Sequence, residues 1–124
     1  MSYYYLGSPY SKHPDGPEEA FRQVCVEAGA LIRAGMPVYS PIAHSHPIAE
    51  YAEMDPFDHS IWMVADEPLM WGARCGLIVL MLDGWETSYG LAEEIKFFRQ
   101  AMRPIVYMTP GIIPDELRVD SEFL

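Results

Sequence analysis

Residues 76–82 are the part of this sequence that most restricts the fold. The segment reads Gly-Leu-Ile-Val-Leu-Met-Leu and carries no polar side chain. A strand that faces water on one side alternates apolar and polar residues, whereas a strand covered by helices on both sides is apolar throughout. The segment therefore predicts the central strand of a parallel sheet enclosed between two layers of helices.

Helical and strand patterns alternate along the rest of the chain. The spacing of apolar residues predicts helices over residues 17–34, with Gly35 after the last turn, over residues 58–73 and from about residue 88. Pro68 should end or kink the second of them. Further strands are predicted at residues 3–6, 37–41 and 104–108. Residues 42–58 are predicted to form a long loop with room for one helical turn.

This order of elements predicts an α/β fold with three layers. We expect a mostly parallel, Rossmann-like or flavodoxin-like sheet of 4–5 strands with helices on both faces. A chain of 124 residues is long enough for one core and short for two, so a single domain over residues 1–124 is expected.

The charge and the cysteines exclude several classes of protein. Lys and Arg number 8 against 18 Asp and Glu, and a net charge of −10 repels a nucleic-acid backbone. Cys25 and Cys75 lack CxxC spacing, which indicates neither a disulfide framework nor a zinc site. With no signal-peptide pattern and no apolar run of membrane-spanning length, we expect a cytoplasmic protein without a membrane partner.

Three segments follow predicted strands and are therefore candidate ligand loops, because ligands bind at the carboxyl ends of parallel strands. Residues 7–12 are rich in Gly, Ser and Pro, residues 41–46 carry His44 and His46, and residues 83–90 carry acids before a helix.

Two of these segments resemble the nucleoside 2-deoxyribosyltransferase-like superfamily. Residues 5–9 (Tyr-Leu-Gly-Ser-Pro) look like its first-strand signature. Residues 83–90 (Asp-Gly-Trp-Glu-Thr-Ser-Tyr-Gly), followed by Glu94, are similar to its pattern of an acid, a Gly turn and a glutamate four residues beyond the glycine. Short members with a Gly-Trp-Glu-x-Ser-x-Gly turn show the greatest likeness, and the resemblance extends to the order of elements along the whole chain.

The resemblance implies cleavage or transfer of the N-glycosidic bond of a nucleoside or nucleoside 5′-monophosphate, without a cofactor. Glu94 matches the nucleophile that attacks the anomeric carbon, Tyr5 matches a tyrosine that orients it, and Asp83 falls near an acid that meets the nucleobase. Such a pair of acids works as in retaining glycosidases, where one carboxylate bonds to the sugar and the other assists the leaving group.

Substrate contacts are expected from the same three loops. Ser8, Ser11, Lys12 and Ser88 have the chemistry of a 5′-phosphate site at a helix N-terminus, so a substrate with a 5′-phosphate is expected over one with a free 5′-hydroxyl. Trp85 is placed to stack on a base. The full set of predicted substrate-binding residues is Gly7, Ser8, Tyr10, Lys12, His44, Trp85, Ser88 and Gly90.

Three alternatives remain open at this point. Lys96 stands where the superfamily usually has a small residue, which leaves room for a nucleotide-binding or signalling module without turnover. Glu93 competes with Glu94 for the inward position, although helical spacing favours Glu94. A metal-dependent hydrolase would use His44, His46, Asp55, Asp58 and His59, but their spacing fits no established metal pattern, so no metal is expected.

The sequence also predicts a homodimer or a larger closed assembly. The resembled family usually completes its pocket with a neighbouring chain, and several large apolar residues are candidates for an exposed interface. These candidates are Trp62, Met63, Trp71, Phe123 and Leu124.

Overall fold

A computed structural model describes residues 2–117, and its central strand is Gly76–Leu80. All five residues of this strand are buried, as the apolar segment predicts. The strands are β1 (Tyr4–Gly7), β2 (Val38–Tyr39), β3 (Gly76–Leu80) and β4 (Ile105–Met108). The helices are α1 (Pro17–Arg33), α2 (Pro41–Tyr51), α3 (His59–Gly72) and α4 (Tyr89–Gln100).

The four strands form one parallel sheet in the order β2-β1-β3-β4. Leu6 of β1 pairs with Ile78 of β3, which in turn pairs with Val106 of β4. The chain leaves β1 toward one edge of the sheet and returns to β3 on the other side of β1. This reversal of direction is the topological switch point of an open α/β sheet.

Alternate side chains of the strands enter two separate cores, one on each face of the sheet. Leu6, Ile78 and Leu80 pack with the buried residues of α1. Tyr5, Leu77 and Val79 pack with residues of α3 and α4, including Met70, Leu91 and Phe98. Helices therefore cover both faces, and the predicted three-layer α/β fold is confirmed.

Helix α2 occupies part of the segment that the sequence predicts as a long loop. The Ser40 side chain caps this helix by accepting a hydrogen bond from the Ala43 backbone N–H at 3.1 Å. Pro41 fits the first turn, where a backbone N–H has no helical partner in any case. Pro47 lies inside the helix, so prolines did not prevent helix formation here. The loop prediction was wrong as far as Tyr51.

Helix α3 agrees with its prediction except at Pro68. Asp58 caps its start by accepting a hydrogen bond from the Ser60 N–H at 3.2 Å, and the helix continues through Pro68 to Gly72. Because proline has no backbone N–H, the Val64 carbonyl lacks the hydrogen bond that residue 68 would otherwise donate in the helix. Because Val64 is 76% exposed, solvent can satisfy that carbonyl. Within residues 2–117, no helix is both long and apolar enough to cross a membrane.

Candidate active site

A cleft opens at the switch point, where the carboxyl ends of β1 and β3 face the amino ends of α2 and α4. Its cavity volume is about 110 Å³, which is space for several water molecules or a sugar-sized group. The walls come from β1 and the loop after it, the start of α2, one face of α3 and the first two turns of α4.

Glu94 reaches this cleft from the second turn of α4 and lies close to β1. A side chain on Gly7 would place its Cβ 3.2 Å from Glu94 Oε1 and 2.8 Å from Leu91 Cδ1. Glycine at this position therefore allows α4 to approach the strand. Gly7 itself does not line the cleft, so the prediction that it binds substrate is wrong. Its role is to let α4 pack against β1.

Tyr5 is hydrogen-bonded to the Glu94 carboxyl group through its side chain. The residue is 1% exposed and packs against Phe98 with ring centroids 5.8 Å apart, so the phenol is held in place. Burial, followed by the charges of Glu94 and Asp66, raises the pKa of Tyr5 well above its ordinary value. The phenol therefore keeps its proton and can donate a hydrogen bond to the Glu94 carboxylate, which is the arrangement that an orienting tyrosine requires.

Asp66 brings a second carboxyl group into the cleft that the sequence prediction missed. It lies on α3, and its Oδ1 atom is buried with no hydrogen-bond partner among residues 2–117. Burial raises the pKa of Asp66 to about 6, against the opposing effect of His44. The detectable signal was an acid on the inner face of α3, on the same side as Trp62 and Met70.

The two carboxyl groups influence each other. Burial, followed by the charge of Asp66, raises the pKa of Glu94 to about 8, while the hydrogen bond from Tyr5 acts in the opposite direction. Two such groups titrate as a pair, and at a pH between their two pKa values the pair holds one proton. Near neutral pH the cleft therefore contains one neutral and one ionised carboxyl group, which is the state that acid–base chemistry requires.

Four serines, Ser8, Ser11, Ser45 and Ser88, add hydroxyl groups to the same cleft. Ser8 is 5% exposed, and its Oγ has no hydrogen-bond partner in the described part of the chain. Ser88 is the N-cap of α4 and accepts a hydrogen bond from the Leu91 N–H at 3.3 Å. Since buried polar atoms normally have partners, the unpartnered Ser8 Oγ and Asp66 Oδ1 indicate where polar ligand atoms would bind.

Tyr10 and Gly90, two of the predicted substrate-binding residues, also line the cleft. Tyr10 Oη lies 2.5 Å from Nδ1 of His46, and its ring packs against Phe57.

Phe57 and Trp62 were not among the predicted site residues, yet both contribute apolar walls to the cleft. Trp62 and Met63 line the cleft and are partly buried, so the prediction of both as exposed interface residues was wrong.

Asp83 does not reach the cleft, which corrects its predicted role as a catalytic acid. It is exposed and lines a separate groove with Arg22, Gln23 and Pro110. Gly84 has a φ of 94° and turns the chain away directly after Asp83. The acid in the cleft comes instead from α3.

Three predicted binding residues also lie outside the lining of the cleft. Lys12 is exposed, and its backbone carbonyl contacts Gly84. Trp85 packs edge-on against Tyr107, with ring centroids 5.9 Å apart. His44 is exposed, packs against Tyr39 and acts on the cleft only through its charge on Asp66.

Two questions left open by the sequence concern α4. Glu94 lines the cleft and its neighbour Glu93 does not, so the choice of Glu94 as the inward acid agrees with the geometry. Lys96 is exposed and also lies outside the lining. The cation therefore leaves the cleft unobstructed.

The histidines and acids considered for a metal site are dispersed. Asp55 and Asp58 accept hydrogen bonds from backbone N–H groups of Phe57 and Ser60 at 2.9 and 3.2 Å. His59 packs against Tyr89. Within the described residues, His46 has instead two acids near it, Glu18 and Glu50, with ligand atoms within 4.8 Å of one another.

Of the predicted interface residues in the described part of the chain, only Trp71 is exposed. Trp71 is 54% exposed and packs against Phe97 and Arg103. Phe123 and Leu124 lie outside the described residues. A homodimer or larger assembly therefore stays a prediction.

A family model described as "Domain of unknown function (DUF1937)" matches residues 2–110. The chain belongs to the DUF1937 family. The matched region includes every residue that lines the cleft. No curated protein matches the chain. The family description assigns no activity, so the function must be argued from the cleft itself.

Proposed function

We propose that this chain breaks or transfers the N-glycosidic bond of a nucleoside, with Glu94 as the nucleophile. The observation that carries the proposal is the pair of carboxyl groups at the switch point. Glu94 is hydrogen-bonded to Tyr5, and Asp66 has a buried oxygen without a partner among residues 2–117. The resemblance of residues 5–9 and 83–94 to the nucleoside 2-deoxyribosyltransferase-like superfamily supports the same reaction.

The two acids divide the chemistry between them. An oxygen of ionised Glu94 bonds to the anomeric carbon while the C–N bond breaks, and the electron pair of that bond leaves with the base. Protonated Asp66 gives its proton to the departing base. Ionised Asp66 then takes a proton from water, whose oxygen attacks the anomeric carbon and releases Glu94 as a carboxylate. A second base in place of water gives transfer.

This assignment requires the shared proton to move to Asp66. In the ligand-free cleft Glu94 has the higher pKa, about 8 against about 6, so the proton resides mainly on Glu94. Positive charge that develops on the sugar stabilises the Glu94 anion, in the same direction as the hydrogen bond from Tyr5. The transition state therefore favours ionised Glu94 and protonated Asp66.

The charge of the cleft favours a nucleoside over a nucleoside 5′-monophosphate. Among the described residues that line it, two are acids and none is Lys or Arg. A phosphate placed beside two acids without a cation would be repelled. The sequence-based preference for a 5′-phosphate rested on Ser8, Ser11 and Ser88, which line the cleft, and on Lys12 as their cation, which is exposed and outside the lining.

A binding module without turnover was the alternative that Lys96 suggested, and the exposed position of Lys96 outside the cleft supports the enzyme over it. The free cysteines Cys25 and Cys75 fit a reducing compartment, and we propose that the reaction takes place in the cytoplasm.

Incubation with a panel of purine and pyrimidine nucleosides, followed by chromatography for free base, tests the proposed reaction. We expect base release by the wild type and by Glu93→Gln, and none by Glu94→Gln. Nucleoside 5′-monophosphates should be poorer substrates. Equal loss of activity in both glutamine variants, or base release that persists in Glu94→Gln, would exclude Glu94 as the nucleophile.

A further inference from the structure

A chain of three hydrogen-bonded side chains runs from the cleft to the protein surface. Tyr10 lies between the cleft and a neighbouring groove lined by Glu18, His46 and Glu50, and its hydroxyl oxygen lies 2.5 Å from His46 Nδ1. The other ring nitrogen, Nε2, lies 2.7 Å from Glu18 Oε2. The His46 side chain is 10% exposed and stacks on Phe21 at 4.3 Å, whereas Glu18 is 78% exposed. Stacking and both hydrogen bonds fix the orientation of the imidazole.

When His46 is neutral, the chemistry of the three groups fixes the direction of both hydrogen bonds. An ionised carboxylate only accepts, so the Nε2 atom that faces Glu18 must carry a hydrogen. In a neutral imidazole the other nitrogen, Nδ1, then has a lone pair and no hydrogen. Tyr10 must therefore donate its hydroxyl hydrogen to Nδ1.

Once its hydrogen is donated to His46, the Tyr10 hydroxyl can form further hydrogen bonds only as an acceptor. Burial and the charges of Glu18 and Glu50 raise the pKa of Tyr10 to about 12, so the group stays a neutral phenol. Because its hydrogen is used by His46, Tyr10 can offer the cleft only an acceptor. A ligand atom that only accepts hydrogen bonds would be repelled at this position. A ligand group that donates a hydrogen bond would be bound.

We propose that Tyr10 is a specificity-determining acceptor for a ligand hydroxyl, and that His46 and Glu18 are positioning residues that fix its polarity. The identity of the ligand as a nucleoside, whose sugar supplies the hydroxyl, rests on the function proposed above. The assignment of hydrogens in the Tyr10–His46–Glu18 chain does not.

A bound divalent cation would produce the opposite polarity. Glu18, His46 and Glu50 have ligand atoms within 4.8 Å of one another. A cation bound to Nε2 would leave the hydrogen on Nδ1, and Nδ1–H would then donate to Tyr10. Tyr10 would in that case present its own hydrogen to the cleft. The tautomer of His46 therefore distinguishes the two arrangements.

Long-range 1H–15N NMR spectra of the metal-free protein report this tautomer directly. They should be recorded at about pH 8, above the ordinary His pKa of roughly 6.5. His46 is assigned by comparison with His46→Gln. We expect the Nε2–H form in the wild type, and a mixture of both forms in Glu18→Ala.

Glu50→Ala removes the same charge from the same surface but no hydrogen bond to His46, so it is the matched control. It should keep the Nε2–H form. An Nδ1–H tautomer in the wild type, or equal effects of Glu18→Ala and Glu50→Ala, would overturn the proposed direction of the chain.

Binding of inosine and its 2′-, 3′- and 5′-deoxy analogues, measured by calorimetry, tests the ligand hydroxyl. In the wild type, one analogue should bind about two- to tenfold more weakly than inosine, because one neutral hydrogen bond is lost. In Tyr10→Phe that difference should disappear. Persistence of the difference in Tyr10→Phe would overturn the contact with Tyr10.

The two measurements separate this inference from the proposed function. If no nucleoside binds, the proposed function is wrong, and so is the proposed contact between Tyr10 and a sugar hydroxyl. The His46 tautomer would still show whether Tyr10 is held as an acceptor.

Discussion

Replacing Glu94 with glutamine should stabilise the fold at alkaline pH and change it little at mildly acidic pH. Burial and Asp66 raise the pKa of Glu94 from 4.5 to about 8, so the folded protein binds a proton that the unfolded chain releases. A carboxyl group with a raised pKa favours folding below its unfolded pKa and loses that contribution as pH rises through its folded pKa. Glutamine has the same shape and no charge to bury.

The size of the effect follows from this pKa difference. At about 1.4 kcal/mol per unit of pKa, the cost of Glu94 above pH 8 is at most about 5 kcal/mol. Glu94 is only partly buried by solvent accessibility, and it shares its proton with Asp66. We therefore expect Glu94→Gln to raise the free energy of unfolding by about 2 to 3 kcal/mol more at about pH 9 than at about pH 5.5.

Urea unfolding of the wild type and the variant at both pH values measures this difference. Glu93→Gln makes the same chemical change one residue away, outside the lining of the cleft, and should show less than about 1 kcal/mol of pH dependence. A constant effect of Glu94→Gln at both pH values would mean that the Glu94 carboxyl is not desolvated by the fold. Destabilisation of the variant at about pH 9 would contradict the electrostatic argument directly.

Two further predictions concern the same cleft. The kcat/KM for base release should follow a bell-shaped pH profile with limbs near the pKa values of about 6 and about 8; a profile that is flat between about pH 5 and pH 9 would contradict a shared proton. Gly7→Ala should cost about 1 to 3 kcal/mol of stability in thermal unfolding, because its Cβ would lie 2.8 Å from Leu91 Cδ1. In the control Gly29→Ala the nearest atom is 3.8 Å away in a helix, so stability should not fall, and equal losses at both positions would refute the close approach of α4 to β1.

The sequence predicted the sheet and one side of the cleft because their signals are local. An unbroken apolar segment is typical of a strand covered on both faces, and β3 is buried throughout. The helical spacing of Leu91, Ile95 and Phe98 placed Glu94 rather than Glu93 beside the core, and Glu94 does line the cleft.

The remaining features depend on contacts between distant parts of the chain. Asp66 belongs to the site only because α3 packs beside α4, and its position in the helix does not reveal that contact. Asp83 directly follows a strand, as an active-site acid often does, but the turn at Gly84 directs the chain elsewhere. Helix α2 was predicted as a loop because it contains two prolines, although Pro41 fits the first turn of a helix.

Trapping the covalent intermediate tests the central claim most directly. A 2′-fluoro nucleoside suits this purpose, because fluorine destabilises the positively charged transition state and slows release of the sugar from the enzyme. After incubation, intact-mass spectrometry should show the wild type with one added fluoropentosyl group, and peptide mapping should place it on Glu94. Glu94→Gln should remain unmodified and Glu93→Gln should be labelled like the wild type. A label on another residue, or release of base without any glycosyl-enzyme, would contradict Glu94 as the nucleophile.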